Sequence, residues 1–187
     1  MPIEVELKAR ITDPDTVVGR LRSWADGEVS TYADTYYDFP DRRLTDTGRQ
    51  ELRLRIIDKP TGRRTVWTFK DAVLDNASTP EWETEVADSE AADAILTGLG
   101  LQPLIAYTKQ CENFRFTAHR HPIVATVVTI PEIDGTFLEI ETLISDDTDR
   151  DDALKAIHGV LTDLGLTDDD LEPTFYIDLV QAHRQPR

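Results

Sequence analysis

Six glutamates recur as three Glu-x-Glu pairs: Glu4/Glu6, Glu83/Glu85 and Glu139/Glu141. Each pair sits where apolar and charged residues alternate, which reads as β-strand, and strand residues two apart point the same way. Bases follow the same rule. Arg53 and Arg55 form one pair, Lys70 is in step with Arg64, Lys109 with Arg115, and Lys8 shares a face with Glu4 and Glu6. Clustered carboxylates gather hard divalent cations such as Mg²⁺. Arginine and lysine gather phosphate oxygens, arginine bidentately. A metal–polyphosphate complex is the ligand that needs both.

An antiparallel sheet with one wet face could carry such charges in solvent. Their segregation argues otherwise, because acids are doubled on some strands and bases on others, with large apolar residues between them. If the sheet closes into a barrel, the charged faces meet inside and the apolar faces need cover from helices. An interior of opposed charges is costly when dry and unfilled. It becomes favourable once a ligand of complementary charge fills it, and phosphoryl chemistry then needs mainly positioning and charge neutralisation.

The elements that must position these residues are legible along the chain. Residues 3–10 alternate strictly, with Ile3, Val5, Leu7 and Ala9 opposite the charged set. Asp13-Pro14 predicts a helix start that runs to about Asp26. A polar link then leads to a strand at 34–39. Residues 50–57 and 64–70 read as hairpin partners around Pro60-Thr-Gly62, and a polar loop over 71–80 precedes a strand at 81–86. Helices are expected at 88–99 and about 150–164, with strands at about 105–118, 123–130 and 136–144, and a short last segment around Phe175 to Val180. Leu96–Leu101 and Leu161–Leu166 match at five of six positions, each after a helix, which hints at two halves of similar build.

The 187-residue length fits one domain. Twenty Lys and Arg against 36 Asp and Glu give a net charge of −16. That disfavours nucleic acid, where phosphate neutralisation supplies much of the affinity, and an anionic membrane surface. A single cysteine, Cys111, excludes an intrachain disulfide and a Cys-based zinc site. The first residues lack the apolar core of a signal peptide, so the cytoplasm is the expected location.

Glu4-Val-Glu-Leu-Lys8 resembles the N-terminal signature of the CYTH superfamily, the triphosphate tunnel metalloenzymes. Asp34-Thr-Tyr-Tyr-Asp38, Leu52-Arg-Leu-Arg55, Thr68-Phe-Lys70, Glu83-Thr-Glu85, Lys109 and Gly135-Thr-Phe-Leu-Glu-Ile-Glu141 follow in the family's order, from residue 3 to about residue 180. The resemblance implies an α+β fold: a closed eight-stranded antiparallel barrel, or tunnel, with helices packed outside. It implies Mg²⁺ or Mn²⁺ held by Glu4, Glu6, Glu139 and Glu141, with Glu83 and Glu85 as helpers. It implies a triphosphate held by Lys8, Arg53, Arg55, Lys70 and Lys109, and a Tyr36–Lys70 pair acting on an attacking water. The expected partner is a triphosphate-containing small molecule, with homodimerisation left open. Length and the Asp-Thr-Tyr-Tyr-Asp stretch resemble the class IV adenylyl cyclase branch most, beside the thiamine triphosphatase branch.

Three positions depart from the family pattern. Cys111 stands where an arginine is frequent, and Arg115, on the same strand face, would substitute for it. Thr129 stands where an aspartate is common, and Glu132 or Asp134 would serve in its place. Phe175-Tyr176 replaces a Ser-Tyr pair. These departures concern the exact reaction more than the metal and triphosphate residues. The expected reactions are therefore hydrolysis of tripolyphosphate, thiamine triphosphate or a nucleoside triphosphate, or cyclisation of ATP to cyclic AMP and pyrophosphate. A non-catalytic polyphosphate or nucleotide sensor is the reading from another class. His119 and His121 read as turn residues, and the acidic run 146–152 as helix N-terminal charge rather than a calcium loop.

Overall fold

The computed structural model describes residues 2–74 and 77–185. Eight antiparallel strands, β1 (Ile3–Ile11), β2 (Gly27–Asp38), β3 (Glu51–Lys59), β4 (Gly62–Lys70), β5 (Ser78–Val86), β6 (Gln102–Ala118), β7 (His121–Thr129) and β8 (Thr136–Ile144), close in the order β1-β5-β4-β3-β2-β6-β7-β8. Four α-helices lie among the described residues: α1 (Pro14–Trp24), α2 (Ser89–Gly98), α3 (Arg150–Asp163) and α4 (Tyr176–Arg184).

Alternation decides which residues face inward. On β1, Ile3, Val5, Ala9 and Ile11 point outward into a core shared with Val17 and Leu21 of α1 and Ala153, Ile157, Val160 and Leu161 of α3. Glu4, Glu6, Lys8 and Arg10 point the other way. A smaller outer core joins Ala92 and Leu96 of α2 to Tyr37, Leu54 and Trp67. The sheet therefore keeps its charges inside and turns its apolar side to the helices.

The structure extends several of the expected elements. β2 begins at Gly27, inside the stretch read as a polar link, because Gly27 to Thr31 pair with Phe114 to Gln110 of the long strand β6. That pairing is tertiary and leaves only a weak local signature. The segment after Thr174 forms helix α4, whose Tyr176, Ile177 and Val180 pack on the inward-facing Tyr36, Tyr107, Val128 and Phe137. Three helices thus cover the outside, and α4 fills one end of the barrel. β5 starts at Ser78, and the loop reading at residues 75–76 lies outside the described residues.

The repeated Leu-Thr-x-Leu-Gly-Leu segments end α2 and α3 in the same way. Gly100 and Gly165 take φ of 94° and 80°, and the following Leu101 and Leu166 amides return to the Leu96 and Leu161 carbonyls at 3.1 and 2.9 Å. This is the glycine-terminated helix end, in which the left-handed residue costs no Cβ clash. Phe114, fully buried between barrel and helices, anchors the larger outer core. Phe114→Ala is expected to cost about 3–5 kcal/mol of folding stability, read from urea unfolding.

Candidate active site inside the barrel

Cross-strand register brings the charges together. Glu6 lies directly opposite Glu141 and Lys8 opposite Glu139 across β1 and β8. Asp34 faces Arg55 and Tyr36 faces Arg53 across β2 and β3. Lys70 faces Glu81 across β4 and β5.

One group is acidic. Glu4, Glu6 and Glu141 each offer a carboxylate oxygen within 4.8 Å of the others. Two carboxylates directly opposite on neighbouring strands repel. Glu141 has no basic partner within ion-pair distance among the described residues, and Glu6 reaches only Lys70, at 3.9 Å. Burial and repulsion from Glu4 and Glu139 push the Glu6 carboxyl up to about 7. Burial, Glu4 and Glu6 hold Glu141 well above the usual carboxylate range. Burial alone would raise Glu4 too, but its contact with the Lys70 ammonium brings it down to about 2. Three hard oxygen donors with too little positive charge between them suit a divalent ion such as Mg²⁺ or Mn²⁺.

The other group is basic. Asp34 accepts from Arg55 Nε and Nη2 at 2.6 and 2.7 Å, its side chain fully covered, and against the cost of burial this pairing draws Asp34 down to about 2. Lys109 donates to Glu139 at 2.8 Å. The Tyr176 ring lies between two ammonium groups, Lys8 at 4.2 Å and Lys109 at 4.3 Å from its centroid, a favourable cation–π arrangement. Lys8 also donates to the Thr174 carbonyl. Arg53 differs from all of these. It is 9% exposed, donates only to Thr68 Oγ1 at 3.3 Å, leaves Nε unsatisfied, and has no carboxylate at ion-pair distance among the described residues.

Glu4, Glu6, Glu139, Glu141, Lys8, Arg53, Arg55, Lys70 and Lys109 therefore line one interior. Other expected site residues stand apart from this charged set. Glu83 is exposed and accepts from Thr68 Oγ1 at 3.2 Å, and Glu85 pairs with Arg64 at 3.0 Å with 67% of its side chain exposed. Both lie outside the Glu4/Glu6/Glu141 group. Arg115 is exposed near Trp24 and Phe116. Tyr36 accepts a hydrogen bond from the Tyr107 hydroxyl at 3.2 Å, among apolar neighbours, while the Lys70 ammonium is taken up by Glu4 and Glu81. Glu132 pairs with Arg184, and the Asp134 carbonyl accepts from Arg10.

Sequence reasoning missed Glu81 and Asp34. Both carried a signal. Glu81 alternates in step with Glu83 and Glu85, and Asp34 shares the face of Tyr36.

The chain matches the CYTH domain family over residues 2–176. It belongs to that family. It is 28% identical over 181 residues to a Methanocaldococcus jannaschii protein named "Putative adenylate cyclase MJ0240", covering 95% of this chain and 98% of that one. It is 25% identical over 183 residues to adenylate cyclase CyaB of Aeromonas hydrophila, covering 95% and 88%. Among solved structures, the PH1819 protein of Pyrococcus horikoshii shares the fold with a TM-score of 0.81 at 23% identity, covering 97% of this chain and 99% of that one.

A carboxyl raised in the folded state binds a proton that the unfolded chain has released. Between pH 4.5, the ordinary value, and about 7, the folded form therefore holds more protons at Glu6, and stability falls as pH rises. The depressed Glu4 and Asp34 act in the opposite sense, but only below the ordinary carboxylate values. Without divalent ions, thermal unfolding is expected to lose about 1–3 kcal/mol between pH 5 and 8. Glu6→Gln should reduce that slope, with the raised Glu141 carboxyl supplying the remainder, measured by calorimetry in a chelating buffer.

Proposed function

We propose that this chain is a divalent-metal-dependent enzyme that acts on the triphosphate tail of its substrate and hydrolyses it. Arg53 carries the reading. A buried guanidinium without a carboxylate is strongly unfavourable unless an anion completes it, and this one sits in the same chamber as an acidic group short of cations. A triphosphate bridged to the acidic wall by Mg²⁺ or Mn²⁺ compensates both.

In this reading Glu4, Glu6 and Glu141 hold the metal, with Glu139 beside them. The bound ion would neutralise phosphate charge and polarise the reacting phosphorus. Arg53, Arg55, Lys8 and Lys109 fix the phosphate oxygens, Arg55 already aligned by Asp34. Lys70 donates to the phosphate as charge builds on it. The charged interior, closed at one end by α4, restricts bulk water.

Hydrolysis is favoured over cyclisation by the wall beyond Lys109. There Asn113 accepts from Tyr32 and Thr126 and donates to Ser30 and the Glu28 carbonyl, so its amide is fully used. The Asn113 amide is therefore not available to a nucleobase, and a phosphate tail does not need it. The names of the two adenylate cyclase relatives favour a second reading, in which ATP is cyclised to cyclic AMP and pyrophosphate. The substrate is a small molecule, and the 187 residues act as one catalytic domain.

Turnover with Mg²⁺ or Mn²⁺ on tripolyphosphate, thiamine triphosphate and ATP separates the readings. Orthophosphate release is the expected result. Cyclic AMP with pyrophosphate would establish the cyclase instead, and tight binding without product would make the protein a sensor. Removing the metal with a chelator, or the double change Glu4→Gln with Glu6→Gln, should lower kcat by at least about 100-fold. Arg53→Gln should raise KM for tripolyphosphate about tenfold or more, since each charge-assisted contact to phosphate contributes about 1.5–3 kcal/mol.

A further inference from the structure

Lys70 occupies an unusual place. Its ammonium contacts a Glu4 carboxylate oxygen, lies 3.1 Å from Glu81 and 3.9 Å from Glu6, and is 17% exposed. Glu4 and Glu6 are also two of the three carboxylates whose oxygens converge for a metal. A divalent ion binds such oxygens at about 2.0–2.1 Å. An ammonium held by the same Glu4 carboxylate, and 3.9 Å from Glu6, would then stand within a few ångströms of the ion. Like charges that close in a low-dielectric interior repel strongly. Lysine suits such a role, being a compact point charge on a flexible four-carbon stem.

We propose that the Lys70 ammonium is the built-in counter-cation of the metal site: it holds Glu4 against Glu81 in the metal-free protein, must leave Glu4 for a divalent ion to bind, and is thereby released toward the phosphate side of the chamber. Metal and triphosphate binding are coupled through this one side chain. Loss of Lys70 weakens the phosphate site but unmasks the metal site. A lysine that served only to bind phosphate would leave metal affinity unchanged. The inference rests on the metal reading given above and adds a competitor to it.

The test uses Mn²⁺ alone, without any phosphate compound, titrated by calorimetry or electron paramagnetic resonance into the wild type, Lys70→Met, Lys70→Gln and Glu6→Gln. Lys70→Met and Lys70→Gln are expected to bind Mn²⁺ at least about tenfold more tightly than the wild type. Equal or weaker binding in both, with wild-type binding present and lost in Glu6→Gln, would overturn the counter-cation role and leave the metal reading standing. No Mn²⁺ binding in any protein would remove both. A second measurement works on the wild type and does not require the variants to fold: acetylation of Lys70 by acetic anhydride, mapped by mass spectrometry against the exposed Lys155. Addition of Mn²⁺ should speed Lys70 acetylation severalfold relative to Lys155. An unchanged ratio in a protein that binds Mn²⁺ would overturn the proposal.

Discussion

The arrangement depends on one unfavourable juxtaposition. Strand register sets Glu6 directly opposite Glu141, with Glu4 on the same side, inside a closed barrel. Nothing in backbone pairing relieves that repulsion. Protons, a lysine or a metal ion must do so. Opposite Glu6 and Glu141, β-propensity and packing alone would favour a β-branched or aromatic pair. Stability has been given up there for a place where positive charge is wanted.

The remaining interior answers that demand unevenly. Lys70 attends to Glu4 and Glu81, Lys109 to Glu139, and Arg55 to Asp34. Among the described residues, Arg53 has no acid and Glu141 no base at ion-pair distance. The outer cores on α1, α3 and α2 carry the fold, so the inner wall is free to hold charges that contribute little to stability.

Face and depth were not equally legible in the sequence. Period-2 alternation identified the inward residues of β1, β3, β4, β6 and β8, because parity depends only on local sequence. Depth along the barrel depends on register and stagger, which distant pairings set. Glu81, Glu83 and Glu85 share a face, yet only Glu81 comes level with Lys70, while Glu85 reaches the exposed edge beside Arg64. The first half of β2 was hidden for a related reason, since its strand character comes from β6. Helix α4 was legible only as a short segment, because its apolar residues pack on interior side chains whose position no local pattern reveals. Motif order carried the family assignment, which local propensity could not supply.

The seating of α4 also shapes traffic through the molecule. Its Tyr176, Ile177 and Val180 stop one mouth, and the bidentate Arg184–Glu132 pair together with the Arg10–Glu172 bridge tie the C-terminal segment to the barrel rim. The opposite mouth, near the exposed Glu83 and Glu85, reaches solvent. The C-terminal segment therefore closes off one end of the barrel with apolar side chains and fastens itself there with two ion pairs.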